Sequence, residues 1–169
     1  TQPNLPFPLF VGADLNVLIT GMGKTNALRA TEWALAHGAN NFISAGICGC
    51  INDQLNLFQI CFPSFIIDLE GNLEENNTIE IKNSDNLRIG TVDNPLHGGQ
   101  NRTNFRKHCD LIDMESYAIA HTLQKQKIPL RLIKCISDFC LENGTLEIKK
   151  NLPRASLLLR DAIILCINE

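Results

Sequence analysis

The chain lacks the features that mark several broad protein classes. No block of lysines and arginines interrupts its 169 residues, and its formal net charge is −3. A nucleic-acid groove, or a surface for anionic membrane, needs the opposite charge balance. No apolar run approaches the roughly 20 residues that span a bilayer. No signal-peptide pattern opens the chain. Neither nucleotide motif is complete around Gly21-Met22-Gly23-Lys24-Thr25. A P-loop needs glycine where Leu18 stands, and a dinucleotide turn needs glycine where Asn26 stands. Cys48-x-Cys50 is not a C-x-x-C pair, and His37, His97, His108 and His121 show no metal-ligand spacing. Neither a metal nor a cofactor is expected.

What is present fits one globular domain over residues 1–169. Hydrophobic residues make up 44% and charged residues 20%, ordinary values for a soluble fold with a sizeable core. The seven cysteines are an odd number and most sit in apolar runs. They read as buried, reduced thiols of a cytoplasmic protein. Because the first residue is Thr1, the chain is expected either to be processed or to begin upstream.

Taken in order, residues 10–20 predict a hairpin around Gly12-Ala13-Asp14, running into the glycine turn at 21–25. The turn's backbone N–H groups suit an anion at a helix start. A helix follows over 26–36 and is closed by Gly38. Residues 42–45 predict a short buried strand, with Gly46-Ile47-Cys48-Gly49-Cys50 as a turn behind it. Two strands are expected within 55–67, parted by Pro63-Ser64. Residues 68–86 read as a solvated excursion, 87–92 as a strand and 93–106 as a polar loop. A helix over 151–167 closes the chain. Pro153 suits its first turn, and Leu157, Leu158, Ala162 and Leu165 form its expected core face.

Residues 111–140 carry the most information. Asp113 stands where a helix N-cap would, and Met114, Tyr117, Ala118 and His121 recur with helical spacing. Lys125 and Lys127 suit the helix C-terminus, Pro129 ends it, and 130–136 is an apolar run suited to a strand covered on both faces. Glu115 lies at the helix start and Asp138 at the strand end, the side on which open α/β sheets bind ligands. Alone, Glu115 reads as a solvated helix residue and Asp138 as a turn former.

Together, IDMESYAIAH and IPLRLIKCISDF resemble the nucleoside phosphorylase/nucleosidase superfamily. The branch they resemble is that of the 5'-methylthioadenosine/S-adenosylhomocysteine nucleosidases and futalosine-type nucleosidases. The matching residues are Met114-Glu115 and Ser137-Asp138. The turn at 21–25 and the alanine-rich helix after it are also similar to that superfamily. The resemblance implies a three-layer α/β fold with a central mixed, twisted sheet flanked by helices. It implies hydrolysis of the N-glycosidic bond of an adenine nucleoside, in a chain that works as a homodimer without nucleic acid or membrane. Asp138 would protonate the purine at N7, because a dry site raises a carboxyl pKa into the useful range. Glu115 would hold the ribose hydroxyls and stabilise oxocarbenium-like charge. Ser137 would support Asp138, Met114 would pack under the ribose, and Phe139 would exclude water. Cys48 and Gly49 would supply backbone contacts, where the family's serine falls on Ile47. Leu96 and His97 are the candidates beside the purine, with Phe105 as an alternative. An aspartate at 138 favours 6-amino purines: methylthioadenosine, S-adenosylhomocysteine, 5'-deoxyadenosine or 6-amino-6-deoxyfutalosine.

Two positions depart from the family pattern. The family's water-activating Glu ends a strand ahead of the glycine turn, whereas no Glu precedes Glu32 and Asp14 is the only earlier acid. That strand is therefore expected upstream of the chain, or the base is replaced. Lys134 stands where the family carries Arg, which keeps the charge and loses the planar fork. A purine nucleoside phosphorylase and a non-catalytic nucleoside-binding homologue remain as alternative readings.

Overall fold

A computed structural model describes residues 7–12, 15–71 and 77–168. It opens with an antiparallel hairpin of β1 (Leu9–Val11) and β2 (Asn16–Leu18), as the two apolar runs imply. The glycine turn follows. Gly21 and Gly23 adopt φ of 79° and 96°, a region open to glycine at little cost. The helix α1 (Lys24–Ala36) starts directly after them and buries Ala27 and Ala30.

Strand β3 (Phe42–Cys50) is nine residues long, so the turn expected at 46–50 is strand instead. Its glycines mark close neighbours. A Cβ on Gly46 would lie 3.8 Å from Lys134 Nζ, and one on Gly49 would collide with Cys140 Sγ. Next come β4 (Ile60–Cys61), β5 (Pro63–Asp68), β6 (Thr78–Glu80) and β7 (Asp85–Thr91). After them lie α2 (Gly99–Phe105), β8 (Leu111–Asp113), α3 (Ser116–Lys125), β9 (Leu130–Asp138) and α4 (Gly144–Ile167).

Among the described residues, seven strands form one mixed sheet in the order β4-β9-β3-β8-β7-β5-β6. Strands β3 and β9 run parallel, whereas β8 runs antiparallel to β3. Alternate residues of β9 face opposite layers. Leu132 and Ile136 join the core with Ala27, Ile119 and Ala120, while Ile133 and Cys135 pack on Ala155, Leu159 and Ala162 of α4. Helices α1 and α3 pack together, so the sheet lies between them and α4. Among the described residues no helix is long and apolar enough to cross a membrane.

Several local expectations are corrected. The polar stretch 68–86 contains the edge strand β6, and the loop 93–106 contains α2. Helix α4 begins at Gly144, so Pro153 is internal rather than in the first turn. Its buried residues include Ala155, Leu159 and Ala162, whereas Leu157 and Leu165 are exposed. The helix is apolar on several sides, and its small residues decide the closest approach to the sheet. In α3 the buried positions are Ser116, Ile119, Ala120 and Leu123. His121 is exposed and stacks on Tyr117.

Candidate active site

Asp138 is the last residue of β9 and pairs with Gly49 of β3 after a register shift that leaves Ser137 as the extra residue on β9. Only 3% of it is exposed. Oδ1 accepts a hydrogen bond from Ser137 Oγ at 2.8 Å, and Oδ2 accepts one from the Cys140 N–H at 2.9 Å. Ser137 Oγ also lies 3.2 Å from the Cys48 carbonyl. Burial raises the Asp138 pKa, and the two hydrogen bonds only partly oppose it. The carboxyl is thus biased toward the acid form, as a proton donor requires. His97 is exposed, but its Nδ1 and Asp138 Oδ2 flank the same point over Gly144.

Glu115 follows β8 and is the N-cap residue of α3. Asp113, expected as the cap, lies two residues earlier, yet it accepts the Ser116 N–H at 3.1 Å. Glu115 Oε1 accepts the Gly23 N–H at 2.6 Å, and Oε2 accepts the Met114 N–H at 3.2 Å. The anion held by the glycine turn is therefore the protein's own carboxylate. Burial raises the Glu115 pKa, with Asp113 adding to the effect. The Gly23 N–H and the Lys134 charge act against it.

Behind Glu115 lies a buried ion pair, Lys134 Nζ to Asp113 Oδ2 at 2.8 Å, with side chains 3% and 1% exposed. Burial alone would discharge both groups. Their mutual attraction outweighs it, so Asp113 is held below its ordinary value and Lys134 above its own. Lys24 is engaged as well, by Asp68 at 2.7 Å and Asp93 at 2.9 Å.

The remaining candidates fall into two groups. Cys48 and Gly49 lie on β3 beside Ser137 and Asp138. Leu96, Phe105 and Met114 pack on one apolar cluster that also contains Cys140, the residue two beyond Asp138. Phe139 instead joins the larger core that contains Ile136, and its carbonyl accepts a bond from Arg102 Nε at 3.2 Å. An open cavity of about 480 Å³ lies among Gly98, Arg102, Leu141, Glu142 and Glu147. It adjoins the Asp138 side through His97 and Gly144. A second, of about 380 Å³, lies beside Trp33. Neither is lined by Asp138 or Glu115, whose oxygens accept bonds from the Ser137 hydroxyl and from the N–H groups of Cys140, Gly23 and Met114. Asp14 lies outside the described residues.

Burial disfavours the thiolate at two of the core cysteines. Burial pushes Cys50 up to about 11 and Cys61 up to about 12. Among the described residues no group of three or more His, Cys, Asp or Glu is arranged to hold a metal ion. Sequence reasoning missed Thr91 and Arg102, neither of which sits in a motif. It had the turn at Gly23 without the partner that fills it.

Comparisons with known proteins bear on the fold. Residues 9–80 match the family model described as Phosphorylase superfamily. No curated protein matches the chain. Among solved structures, it is similar to the 5'-methylthioadenosine/S-adenosylhomocysteine nucleosidase of Helicobacter pylori. That match has 16% identity over 96% of this chain and 84% of the other, with a TM-score of 0.84. The corresponding nucleosidase of Colwellia psychrerythraea, in complex with adenine, matches at 15% identity over 97% and 86%, with a TM-score of 0.84. The futalosine hydrolase of Helicobacter pylori matches at 16% identity over 90% and 79%, with a TM-score of 0.79. The chain has the nucleoside phosphorylase-like fold of these nucleosidases, as the resemblance carried by Met114-Glu115 and Ser137-Asp138 implied.

Proposed function

We propose that the chain is a purine nucleosidase that hydrolyses the N-glycosidic bond of adenine nucleosides. Methylthioadenosine, S-adenosylhomocysteine, 5'-deoxyadenosine and 6-amino-6-deoxyfutalosine form the substrate class. One observation carries the reading: a buried carboxyl, Asp138, sits at the tip of a central strand, and burial raises its pKa above the ordinary value. Proton donation to N7 turns a poor leaving anion into neutral adenine. Ser137 and the Cys140 N–H orient that carboxyl. Glu115 grips the ribose hydroxyls and faces the positive charge that develops on the sugar. Met114 and Leu96 supply apolar surface, Cys48 and Gly49 supply backbone, and His97 stands beside the base. The nucleosidase similar to this chain that was solved with adenine supports the base assignment.

Water is the proposed acceptor rather than phosphate. The Gly23 N–H already serves Glu115, and Lys24 is matched by two aspartates. The turn therefore offers no uncommitted charge to a phosphate dianion. The chain is proposed to act as a homodimer in the cytoplasm, where its seven free cysteines stay reduced. Chromatography of methylthioadenosine incubated with the protein tests the reaction. Free adenine should form at equal rates with and without phosphate. A strict phosphate requirement would make it a phosphorylase, and binding without adenine release would make it a non-catalytic homologue.

A further inference from the structure

We infer that the buried Lys134–Asp113 ion pair positions Glu115, acting through the first turn of α3. Lys134 on β9 is in register with Gly46 on β3, and β8 lies on the other side of β3. The lysine must therefore cross β3 to meet Asp113. Its ammonium passes over Gly46, where a Cβ would sit 3.8 Å from Nζ, at ordinary contact distance. Asp113 then gathers the start of α3. Its carboxylate accepts the N–H of Glu115 at 3.4 Å and that of Ser116 at 3.1 Å. It also accepts the Ser116 hydroxyl and, at 2.8 Å, the Thr91 hydroxyl. With its backbone fixed, Glu115 turns its carboxylate onto the Met114 and Gly23 N–H groups. Lys134 and Asp113 thus act as positioning residues, one step removed from the sugar.

A buried ion pair is a weak source of net stability compared with apolar residues of the same volume. The geometry supplies another reason for this one. The inference rests on the proposed role of Glu115, but its test has a readout that needs no turnover.

The variants are Lys134→Met/Asp113→Asn, which removes both charges at similar volume, and Lys134→Arg, which keeps the charge. Hydrogen exchange at the Gly23 amide reports whether Glu115 is held. In the double variant, protection at Gly23 should fall at least about tenfold, the scale of one hydrogen bond to a charged group. Protection at Ala30 should not change. Preference for methylthioadenosine over its 2'-deoxy analogue should fall in parallel, while Lys134→Arg retains both. If the double variant does not fold, Thr91→Val replaces it. That change takes one hydrogen bond from Asp113 and one from the Tyr117 N–H without touching either charge, and it must lower Gly23 protection in the same direction. Unchanged Gly23 protection in a folded variant overturns the inference. A wild-type chain that releases no adenine would end the functional reading, a result separate from the amide measurement.

Discussion

A carboxylic acid serves as a proton donor near neutral pH only if its surroundings penalise the charge. Asp138 meets that condition by burial, with Ser137 and the Cys140 N–H pulling the other way. Because its folded pKa lies above the ordinary 3.8, the donor form persists above that pH and disappears as pH rises through the folded value. Turnover should therefore fall on the alkaline side, with an apparent pKa above the ordinary value of 3.8. A kcat/KM profile in which the active form requires an ionised carboxyl at that step would contradict the assignment. The pair Met114-Glu115 and Asp138 were legible in the sequence because a motif carries them. The anion under Gly23 was not, because it comes from a residue 92 positions away. Thr91, which supports Asp113, gave no signal either, since one hydroxyl in an apolar strand has no spacing to read.

Among the elements, β3 does most to shape the site. The sequence suggested a turn after Ala45, because small residues punctuate loops as readily as they thin a strand. Here Gly46 and Gly49 lie within β3, and Gly49 yields volume to Cys140. Gly49→Ala would drive a methyl into Cys140 Sγ and against the Asp138 carboxylate. Overpacking of this kind costs about 1–3 kcal/mol. A lowered denaturation midpoint together with lost turnover is expected, and an unperturbed Gly49→Ala protein would show that β3 is looser than described. Strand β9 was read nearly to its end, because a continuous apolar run is what a strand covered on both faces requires. Helix α4 was not, because Leu157, Leu158 and Leu159 give no single face and the small residues that seat the helix are inconspicuous.

Across the whole molecule, the layering places both carboxylates near β3, Asp138 beside it on β9 and Glu115 just past β8. The hairpin at the start stands apart from this sheet. It carries Phe10 at 61% exposure and Val11 at 77%, and apolar side chains left so open suit an interface. This is consistent with the proposed homodimer. Sedimentation should give twice the 18.8 kDa chain mass, with Phe10→Asp shifting it toward monomer. A purely monomeric wild-type chain would remove that part of the proposal. The fold class followed from the resemblance carried by Met114-Glu115 and Ser137-Asp138. The order of strands about β3 did not, since pairing between distant segments leaves no local trace.

The most direct measurement is adenine release by wild type and Asp138→Asn, side by side, on methylthioadenosine. An amide keeps the shape of the carboxyl but cannot donate the proton at N7. Turnover should drop by about 10²–10⁴, the usual share of general acid catalysis, while the circular dichroism spectrum stays that of wild type. Adenine release by a folded Asp138→Asn protein at close to the wild-type rate would place the acid elsewhere and contradict the assignment.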